Sequence, residues 1–475
     1  MKINTLLKKV DLMPLKNNHQ VFMLTDDSKA CILNSVFIAI KGKTIDGHSK
    51  INEAITNGAK TIILEDSVDE KKGINYLYVE STKKILPKLF YNLYKKQIKK
   101  LNFIGIIGTN GKTSVSTILY RFLNSTNEHA MLIGSNGCDS SDFHSNHDNT
   151  TPSTAKLYSY FMYAYRKKIK NIIMEISSIS IAEQRVAYIN YNTLIFTNFS
   201  EDHLDYHKTM EEYFYTKLIP FINIGENGLC IINNDDKKAE IIKKYTKAKV
   251  ITYGINNNAD FFASIIKLTL KETSFSVNGI YYSTLLFGKM NIYNILPLIC
   301  YLKYKNISND QEINYFIQSL SAVNGRANIY TINNRFIIID YAHTEYATQT
   351  IISEIRNITG KIPYVILGCG GNREKEKRGK IGHLLSTIGC IPLLTNDNPR
   401  NEDPLSIIND INSGAEYYIP YVLDRKEAIY EVYSKMKEND VLLILGKGSE
   451  QYMEIMDKKI RYNDLSVIKE LEQKI

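Results

Sequence analysis

The stretch FIGIIGTNGKTSVSTILY, residues 103–120, constrains the fold of this chain more than any other. Its apolar run, residues 103–107, predicts a buried β-strand that breaks at a glycine and passes through a short polar turn. A helix is predicted directly afterwards, because apolar residues recur on one helical face at Val115, Ile118, Leu119 and Phe122. A strand that turns through glycines straight into a helix indicates an α/β sheet.

The turn itself predicts a phosphate loop, since strand, Gly-rich turn, Lys-Thr and helix follow in the required order. Backbone N–H groups in such a turn face an anion, and the helix N-terminus adds partial positive charge. We expect Lys112 to reach the β- and γ-phosphates of a nucleotide, and Thr113 or Ser114 to bind Mg²⁺. Ile106 stands where the usual spacing has glycine, so a tight turn with a chance Lys-Thr is the alternative. The predicted ATP-binding residues here are Gly108, Thr109, Asn110, Gly111, Lys112, Thr113 and Ser114.

Composition narrows the class of protein. A length of 475 residues suggests about three domains. The net charge of +9 is spread among interleaved acidic residues, so we expect no nucleic-acid partner, and the surplus suits an anionic substrate. The six cysteines are widely spaced, which predicts reduced thiols in a cytoplasm. No apolar run approaches the roughly 18 residues of a membrane span, and the charged N-terminus is unlike a signal peptide.

Strand and helix patterns predict an α/β fold in three domains. Residues 1–100 would form a small N-terminal α/β domain. Residues 101–327 would form a central P-loop ATPase-like domain with a mostly parallel sheet. Residues 328–475 would form a C-terminal Rossmann-like α/β domain, and the charged run KKQIKK, 95–100, would be the first linker.

Polar residues follow two predicted strands of the central domain. Glu175 ends the strand at 171–176, and His203 follows the strand at 193–197. Because ligands bind at strand ends in open α/β sheets, these two side chains could share a Mg²⁺ ion with nucleotide phosphates. Either polar cluster alone is more typical of a helix cap, but both follow a phosphate loop.

Ten segments in order resemble the Mur ligases, most closely the diaminopimelate-adding ones, and the resemblance covers nearly the whole chain. The segments are GTNGKTS (108–114), NTTP (149–152), MEISS (174–178), TNFSEDHLDYH (197–207), NNDD (233–236), GRAN (325–328), DYAHT (340–344), GCGGNREKEKR (368–378), DNPR (397–400) and GKGSE (446–450). The N-terminal segment 25–48 resembles the nucleotide-sugar domain of that family.

The resemblance implies ATP-driven amide bond formation that joins meso-diaminopimelate to UDP-N-acetylmuramoyl-L-alanyl-D-glutamate through an acyl phosphate. The partners would be small molecules only, and we expect a monomer. By the same resemblance Lys112, Glu175, His203 and Lys217 are catalytic. Mg²⁺ would be held by Thr113, Glu175, His203 and Lys217, the last as a carbamate whose anionic oxygens suit a hard cation.

Binding residues carry over by position. Beyond the phosphate loop, ATP would contact Asn291, Arg326, Asp340 and His343. The UDP-sugar peptide would contact Ser28, Lys43, Thr44, Ile45, Asn149, Thr150, Thr151, Ser177, Glu183 and Arg185. Diaminopimelate would contact Arg373, Asp397, Asn398, Pro399, Arg400, Gly446 and Glu450. Arg400 is the residue expected to choose this amino acid, because its planar fork matches a distal carboxylate that lysine lacks.

The sequence also departs from the family pattern, and this keeps alternatives open. The departing positions are Ile179, Ser180, Glu183, Asn324 and Ser449. The alternatives are the same ligase adding L-lysine, a folylpolyglutamate-synthase-like ligase, and a nucleotide-binding protein that has lost ligation. The NTTP and TDDSK segments argue against the second, and the intact Lys112, Glu175, His203 and Lys217 argue against the third.

Overall fold

The first part of the chain forms a small parallel sheet with helices packed on it. The computed structural model describes residues 1–42, 45–147, 149–456 and 458–474. The strand order of this sheet is β1-β2-β3-β4, and its core includes Val36, Phe37, Ile62 and Ile63. The elements are α1 Ile3–Lys8, β1 Leu24–Thr25, β2 Ser35–Ile38, α2 Ile51–Thr56, β3 Ala59–Leu64, β4 Asn75–Tyr78 and α3 Thr82–Ile98, with 3₁₀ turns at Ser28–Ala30 and Gly47–Lys50.

The middle of the chain forms a large sheet whose centre is parallel and whose two ends are antiparallel. Over the described residues its order is β15-β14-β13-β12-β11-β10-β5-β9-β6-β7-β8. The strands are β5 Asn102–Ile107, β6 Ala130–Gly134, β7 Gly137–Ser140, β8 Phe143–Ser145, β9 Asn171–Glu175, β10 Thr193–Phe196, β11 Leu229–Asn233, β12 Lys249–Gly254, β13 Phe261–Leu268, β14 Thr273–Val277 and β15 Ile280–Thr284. The helices are α4 Lys112–Ser125, α5 Thr154–Arg166, α6 Ser178–Ala182, α7 Leu204–His207, α8 Met210–Asn223, α9 Ala239–Tyr245, α10 Lys289–Lys305 and α11 Asp310–Ser319.

The last part forms a third sheet of order β16-β17-β20-β18-β19, parallel except for the β16–β17 pair. A separate hairpin, β21–β22, follows it. The strands are β16 Asn328–Ile332, β17 Arg335–Asp340, β18 Tyr364–Leu367, β19 Ile391–Leu394, β20 Val441–Leu445, β21 Tyr452–Ile455 and β22 Lys458–Arg461. The helices are α12 Glu345–Thr359, α13 Glu376–Thr387, α14 Pro404–Asn412, α15 Arg425–Lys435 and α16 Asp464–Lys474.

The predicted α/β class with mostly parallel sheets is confirmed. The strand and helix on either side of the predicted phosphate loop form as expected, and Val115, Ile118, Leu119 and Phe122 are all buried. Residues 95–98 of the predicted linker form the last turn of α3, and the linker itself stays a prediction. The domain boundaries after residues 100 and 327 stay predictions.

The strand order explains where a site can form. β5 lies between β9 and β10, and all three run parallel. In register, Glu175 is level with Ile106 and Phe196 is level with Ile107. The segments that leave these strands therefore emerge side by side, at the edge where open α/β sheets bind ligands.

Candidate active site

The turn between β5 and α4 is held by the strand beside it. The hydroxyl of Thr197 donates to the carbonyl oxygen of Asn110 at 2.6 Å, and the amide of Asn110 donates to the Asn198 side chain at 2.8 Å. A Cβ atom on Gly108 would lie 1.9 Å from Thr197 Oγ1, so only glycine fits this approach. Gly111 is the N-cap of α4 and offers no side chain to the helix's first N–H groups. These groups are therefore left for an anion.

Lys112 folds back across this turn. Its ammonium donates to the carbonyl oxygens of Gly108 at 3.0 Å and Thr109 at 2.9 Å. Burial lowers the pKa of Lys112, and the nearby carboxylates of Glu175 and Asp202 act in the opposite direction. The lysine thus lies in the loop where the sequence predicts a phosphate-binding cation.

Glu175, at the end of β9, is 1% exposed and joins the loop to two hydroxyl groups. Thr113 Oγ1 donates to Glu175 Oε2 at 2.9 Å. Ser135 donates its amide to Oε1 at 3.0 Å and its hydroxyl to Oε2 at 3.2 Å. A carboxylate with hydroxyl oxygens around it is an oxygen donor set of the kind that suits Mg²⁺.

His203 and its neighbour follow β10 on the other side of the loop. His203 has a left-handed backbone at φ 56°, and its Nε2 lies 3.7 Å from Asp202 Oδ2. Burial lowers the pKa of His203, with Asp202 opposing the shift. Burial raises the pKa of Asp202, but the neighbouring His203, His343 and Lys377 outweigh it, so the net pKa is lowered. Asp202, which the sequence reasoning did not single out, is therefore an anion among these side chains.

Lys217 is buried on α8 without a counter-charge in contact. It is 2% exposed, and its Nζ lies 4.4 Å from the centre of the Tyr213 ring. Within the part of the chain that the structure describes, this nitrogen has no hydrogen-bond or ion-pair partner. Burial first, and the charge of Lys112 second, lower the pKa of Lys217 well below its ordinary value.

Arg326 brings the C-terminal part of the chain to the loop. Its Nη2 lies 3.3 Å from Thr113 Oγ1, and its guanidinium stacks 4.4 Å from the centre of the Tyr341 ring. Asp340 accepts from the amides of Ala327 and Ala342, each at 2.7 Å. Burial raises the pKa of Asp340, while Arg326 opposes the shift. Asp340 therefore holds the chain segment that carries Arg326.

The other two predicted nucleotide residues precede and follow this segment along the chain. His343 bonds through Nδ1 to the carbonyl oxygen of Tyr341 at 2.9 Å. Burial, and then the charge of Lys377, lower the pKa of His343 to about 4, so the ring is neutral near pH 7. Asn291 is buried on α10 and donates to the carbonyl oxygen of Phe287 at 2.8 Å.

The NTTP segment reaches the same edge of the sheet. Thr150 Oγ1 lies 3.1 Å from the Ser135 hydroxyl, and the carbonyl oxygen of Asn149 bonds to His147. Thr151 donates to the carbonyl oxygen of Glu175 at 2.8 Å. It also accepts from the amide of Ser177 at 3.0 Å. Thr150 is thus linked through Ser135 to the Glu175 carboxylate, whereas Thr151 and Ser177 are linked to the main chain of Glu175.

Glu183, the departure from the family pattern, pairs with Arg185. Arg185 donates Nε to Glu183 Oε2 at 2.8 Å, and its Nη2 contacts the same oxygen. Its Nη1 donates to the carbonyl oxygen of Thr151 at 2.9 Å. The guanidinium is therefore fixed in place beside the NTTP segment, with its charge neutralised.

The predicted N-terminal contacts stay within their own sheet unit. Ser28 donates to Glu53 Oε2 at 2.7 Å, and its carbonyl oxygen accepts from Asn57 at 3.0 Å. Ile45 is 60% exposed. The predictions at Lys43 and Thr44 lie outside the described residues.

The predicted amino-acid residues gather around the loop after β19. Arg400 donates Nε to Glu454 Oε2 at 2.9 Å and Nη1 to the carbonyl oxygen of Gly371 at 2.7 Å. It lines a cavity of about 270 Å³ together with Asn372, Asn401, Glu454, Met456, Lys458 and Lys459. Among the described residues Arg400 Nη2 has no hydrogen-bond partner, which leaves it for a ligand.

Glu450 and Asn398 form a second cluster beside that cavity. The buried Lys447 donates to Glu450 Oε2 at 2.8 Å and to Asn398 Oδ1 at 3.0 Å. Asn398 Nδ2 also donates to Glu450, so this carboxylate accepts hydrogen bonds from both Asn398 and Lys447. Burial raises the pKa of Asp397, and Lys447 opposes the shift.

Of the remaining predicted diaminopimelate residues, Pro399 and Gly446 contribute backbone geometry, and Arg373 contributes its charge. Pro399 accepts from the amide of Glu402 at 3.0 Å, and Gly446 has a φ of 104°. The charge of Arg373 acts on Tyr341, whose pKa is raised mainly by burial.

One metal-like cluster lies away from the site, in the N-terminal unit. Ligand atoms of Asp46, His48 and Asp66 lie within 4.8 Å of one another. Both ring nitrogens of His48 are already used, one by Asp46 and the other by the amides of Glu65 and Asp66. The cluster therefore holds the local fold together.

Among the described residues, no helix is long and apolar enough to cross a membrane.

Comparisons with known proteins identify the family of this chain. Residues 106–302 match the Mur ligase middle domain, and residues 325–448 match the Mur ligase, glutamate ligase domain. The chain is 33% identical to a UDP-N-acetylmuramoyl-L-alanyl-D-glutamate--2,6-diaminopimelate ligase of Bacillus velezensis, over 98% of each chain.

Two solved structures have the same fold. A structure of a ligase with that same name has a TM-score of 0.69 at 22% identity and covers 100% of this chain and 99% of its own. A MurF ligase from Thermotoga maritima in complex with ADP has a TM-score of 0.65 at 19% identity, over 95% and 97%. With two matching domain models and a relative of this identity along nearly its full length, the chain belongs to the Mur ligase family.

Proposed function

We propose that this protein is an ATP-dependent ligase that joins meso-diaminopimelate to UDP-N-acetylmuramoyl-L-alanyl-D-glutamate. The observation that carries the proposal is the meeting of three groups at one sheet edge. These are the Lys112 ammonium in its loop, the Glu175–Thr113 pair, and the Arg326 guanidinium from the C-terminal part of the chain. The Bacillus velezensis relative with this activity in its name supports the choice of substrates.

The reaction places a carboxylate against a triphosphate, so charge repulsion is the main barrier. An oxygen of the dipeptide carboxylate attacks the γ-phosphorus, the bond to the β–γ bridging oxygen breaks, and ADP leaves. The amino group of diaminopimelate then attacks the acyl carbon, phosphate leaves and the nitrogen loses a proton. Lys112 and Arg326 would offset the charge on the transferring phosphoryl group, because fixed cations in a buried site are already oriented.

The residues present fit Mg²⁺, which would be held by Thr113, Glu175, His203 and a carbamate on Lys217. The fit rests on their chemistry: a buried carboxylate already bonded to a hydroxyl, and an imidazole whose lowered pKa favours the neutral ring, in which one nitrogen offers a lone pair. When bound, the ion would supply charge neutralisation at the phosphate oxygens. Removal of Thr113 or Glu175 would therefore weaken both ion and nucleotide binding.

The carbamate on Lys217 is supported by the surroundings of its side chain. Burial lowers its pKa and so favours the neutral amine, which is the form that adds to CO₂ with loss of one proton. A charged ammonium there would repel Lys112, whereas an anionic carbamate would attract it. Burial without a hydrogen-bond partner also leaves the carbamate oxygens free to act as ligands.

The dipeptide end of the substrate would lie against Ser177 and the NTTP segment, which is hydrogen-bonded to Ser135 and Glu175. Arg185 would contact this end with its orientation fixed by Glu183. The nucleotide-sugar end is assigned to the N-terminal unit around Ser28.

The amino acid is assigned to the cavity beside Arg400. Arg400, Lys458 and Lys459 make this cavity cationic, which suits the distal carboxylate of diaminopimelate. Glu450 would meet the distal ammonium once it exchanges one of its present partners. L-Lysine lacks the carboxylate and would leave Arg400 Nη2 unpaired.

The test is a ligation assay with purified protein, ATP, Mg²⁺ and the UDP-sugar dipeptide. Either meso-diaminopimelate or L-lysine is supplied in turn, and the UDP-sugar tripeptide is identified by mass. We expect product and matching ADP release with diaminopimelate, and neither when the dipeptide is omitted. Equal use of L-lysine would overturn the choice of amino acid, and nucleotide binding without product would overturn ligation.

A further inference from the structure

The N-terminus of helix α10 has no side-chain cap from its own N-cap residue. A glutamate that is distant in sequence accepts hydrogen bonds there instead. The N-cap residue of α10 is Gly288, which has no side chain to accept hydrogen bonds from the first N–H groups. Glu354, on α12, accepts from the amide of Lys289, and the amide of Met290 also bonds to it. A carboxylate at the N-terminus of a helix accepts hydrogen bonds from the free N–H groups and interacts favourably with the positive end of the helix dipole.

The contact between Glu354 and the N-terminus of α10 is close and buried. Glu354 is 9% exposed and stands among the buried Ile351, Ile352 and Ile355 of the same helix. A Cβ atom on Gly288 would lie 2.8 Å from the carboxyl carbon of Glu354, and the φ of Gly288 is 91°. Glycine is therefore required for the carboxylate to approach the helix end.

Helix α10 runs from its contact with Glu354 towards the phosphate loop. Asn294, in its second turn, donates to Asn291 Oδ1 at 3.3 Å. Asn294 Oδ1 also lies 2.8 Å from where a Cβ on Gly111 would be. The first two turns of α10 thus set the distance between this helix and the loop.

Helix α12, which carries Glu354, begins next to the predicted nucleotide residues that follow β17. It begins at Glu345, directly after Asp340 and His343, and its N-cap Thr344 accepts from the amide of Ala347. Glu354 therefore ties the helix that follows the C-terminal nucleotide residues to the helix that contacts the phosphate loop.

We propose that Glu354 is a positioning residue for the nucleotide. By capping α10 from α12, it fixes Asn291 and Asn294 relative to the phosphate loop and to the Arg326–Asp340 segment. This inference rests on the proposed function, since it takes the loop to be the nucleotide site. Glu354 itself touches neither substrate nor reacting atoms.

The experiment compares wild-type protein with Glu354→Gln, Glu354→Ala and the control Glu427→Gln. Glu427 is an exposed glutamate in the first turn of α15. Equilibrium dissociation constants are measured for ADP and, separately, for UDP as a probe of the N-terminal unit. Because loss of a helix cap changes an equilibrium by roughly 3- to 30-fold, we expect ADP binding to weaken by that factor in Glu354→Ala. Glu354→Gln keeps the shape and should fall between.

Steady-state kinetics separate positioning from general damage. We expect KM for ATP to rise in the Glu354 variants, with kcat at saturating ATP and KM for the UDP-sugar dipeptide unchanged. Hydrogen exchange at the amides of Lys289 and Met290 should quicken by a similar factor. Unchanged ADP affinity in Glu354→Gln and Glu354→Ala, or an equal loss of UDP affinity, would overturn the inference.

The outcome for the proposed function is read separately. Wild-type protein that binds ADP but forms no tripeptide would overturn ligation, while the ratio of ADP affinities would still decide the role of Glu354. If Glu354→Ala fails to fold, the isosteric Glu354→Gln carries the comparison. Wild-type protein that does not bind ADP at all would overturn both.

Discussion

Replacement of Arg400 is the sharpest test of how the amino acid is chosen. Two of its nitrogens are held by the protein, Nε by Glu454 and Nη1 by the Gly371 carbonyl oxygen, at 2.9 and 2.7 Å. Among the described residues this leaves Nη2 without a partner, and in our proposal this nitrogen would donate to the distal carboxylate of diaminopimelate. Lysine at this position keeps the charge but loses the fork and both anchoring contacts.

The magnitude follows from the contact that is lost. A hydrogen bond to a charged partner contributes about 1.5–3 kcal/mol, and each ~1.4 kcal/mol is a factor of ten. Arg400 is about one quarter exposed, which favours the lower half of that range. We expect Arg400→Lys and Arg400→Ala to lower kcat/KM for meso-diaminopimelate by roughly 10- to 40-fold.

The assay measures kcat/KM for meso-diaminopimelate and for L-lysine in wild type, both variants and an Arg461→Lys control. Arg461 is an exposed arginine on the nearby strand β22. Both Arg400 variants should reduce the preference for diaminopimelate, whereas the weak use of L-lysine stays the same. An unchanged ratio of the two kcat/KM values would refute the reasoning and leave the amino acid unassigned.

Three further changes test the rest of the site and the fold. Lys112→Ala should lower kcat by ~10²–10³-fold with the fold intact, measured as ADP release and by circular dichroism; wild-type turnover would refute the phosphate-loop assignment. Lys217→Ala should be nearly inactive, and short carboxylates added to it should restore part of the activity. An intact-mass spectrum without CO₂ on Lys217, together with an active alanine variant, would contradict the carbamate. Asp464→Ala leaves the fully buried Arg425 unpaired and should cost about 3–5 kcal/mol in urea unfolding, while Lys435→Ala at an exposed pair should change stability by less than ~1 kcal/mol.

Local pattern determined a large part of this fold. The strands at 229–233, 335–340, 391–394 and 441–445 follow from short apolar runs, and the helix after the phosphate loop follows from its apolar spacing. Both signals depend on residues within a few positions of each other, so they are visible without the rest of the chain. The antiparallel strands β13–β15 were not predicted, because their exposed and buried residues alternate weakly.

The strand and helix on either side of the predicted phosphate loop could also be predicted from sequence, since the glycines, the lysine and the flanking elements are contiguous. The family resemblance then supplied residues such as Lys217, which no local pattern distinguishes from a surface lysine. Its burial became visible only in the folded protein, as did the lack of a hydrogen-bond partner among the described residues, because both depend on what packs around α8.

Only the tertiary structure decided which distant side chains meet. Arg326 reaches Thr113 across 213 residues of sequence, and Glu175 reaches it because β9 pairs with β5. The capping of α10 by Glu354 and the pairing of Arg400 with Glu454 belong to the same class of contact. The sequence specifies these contacts only through the order of strands and the packing of helices, which result from long-range burial and not from periodicity along the chain.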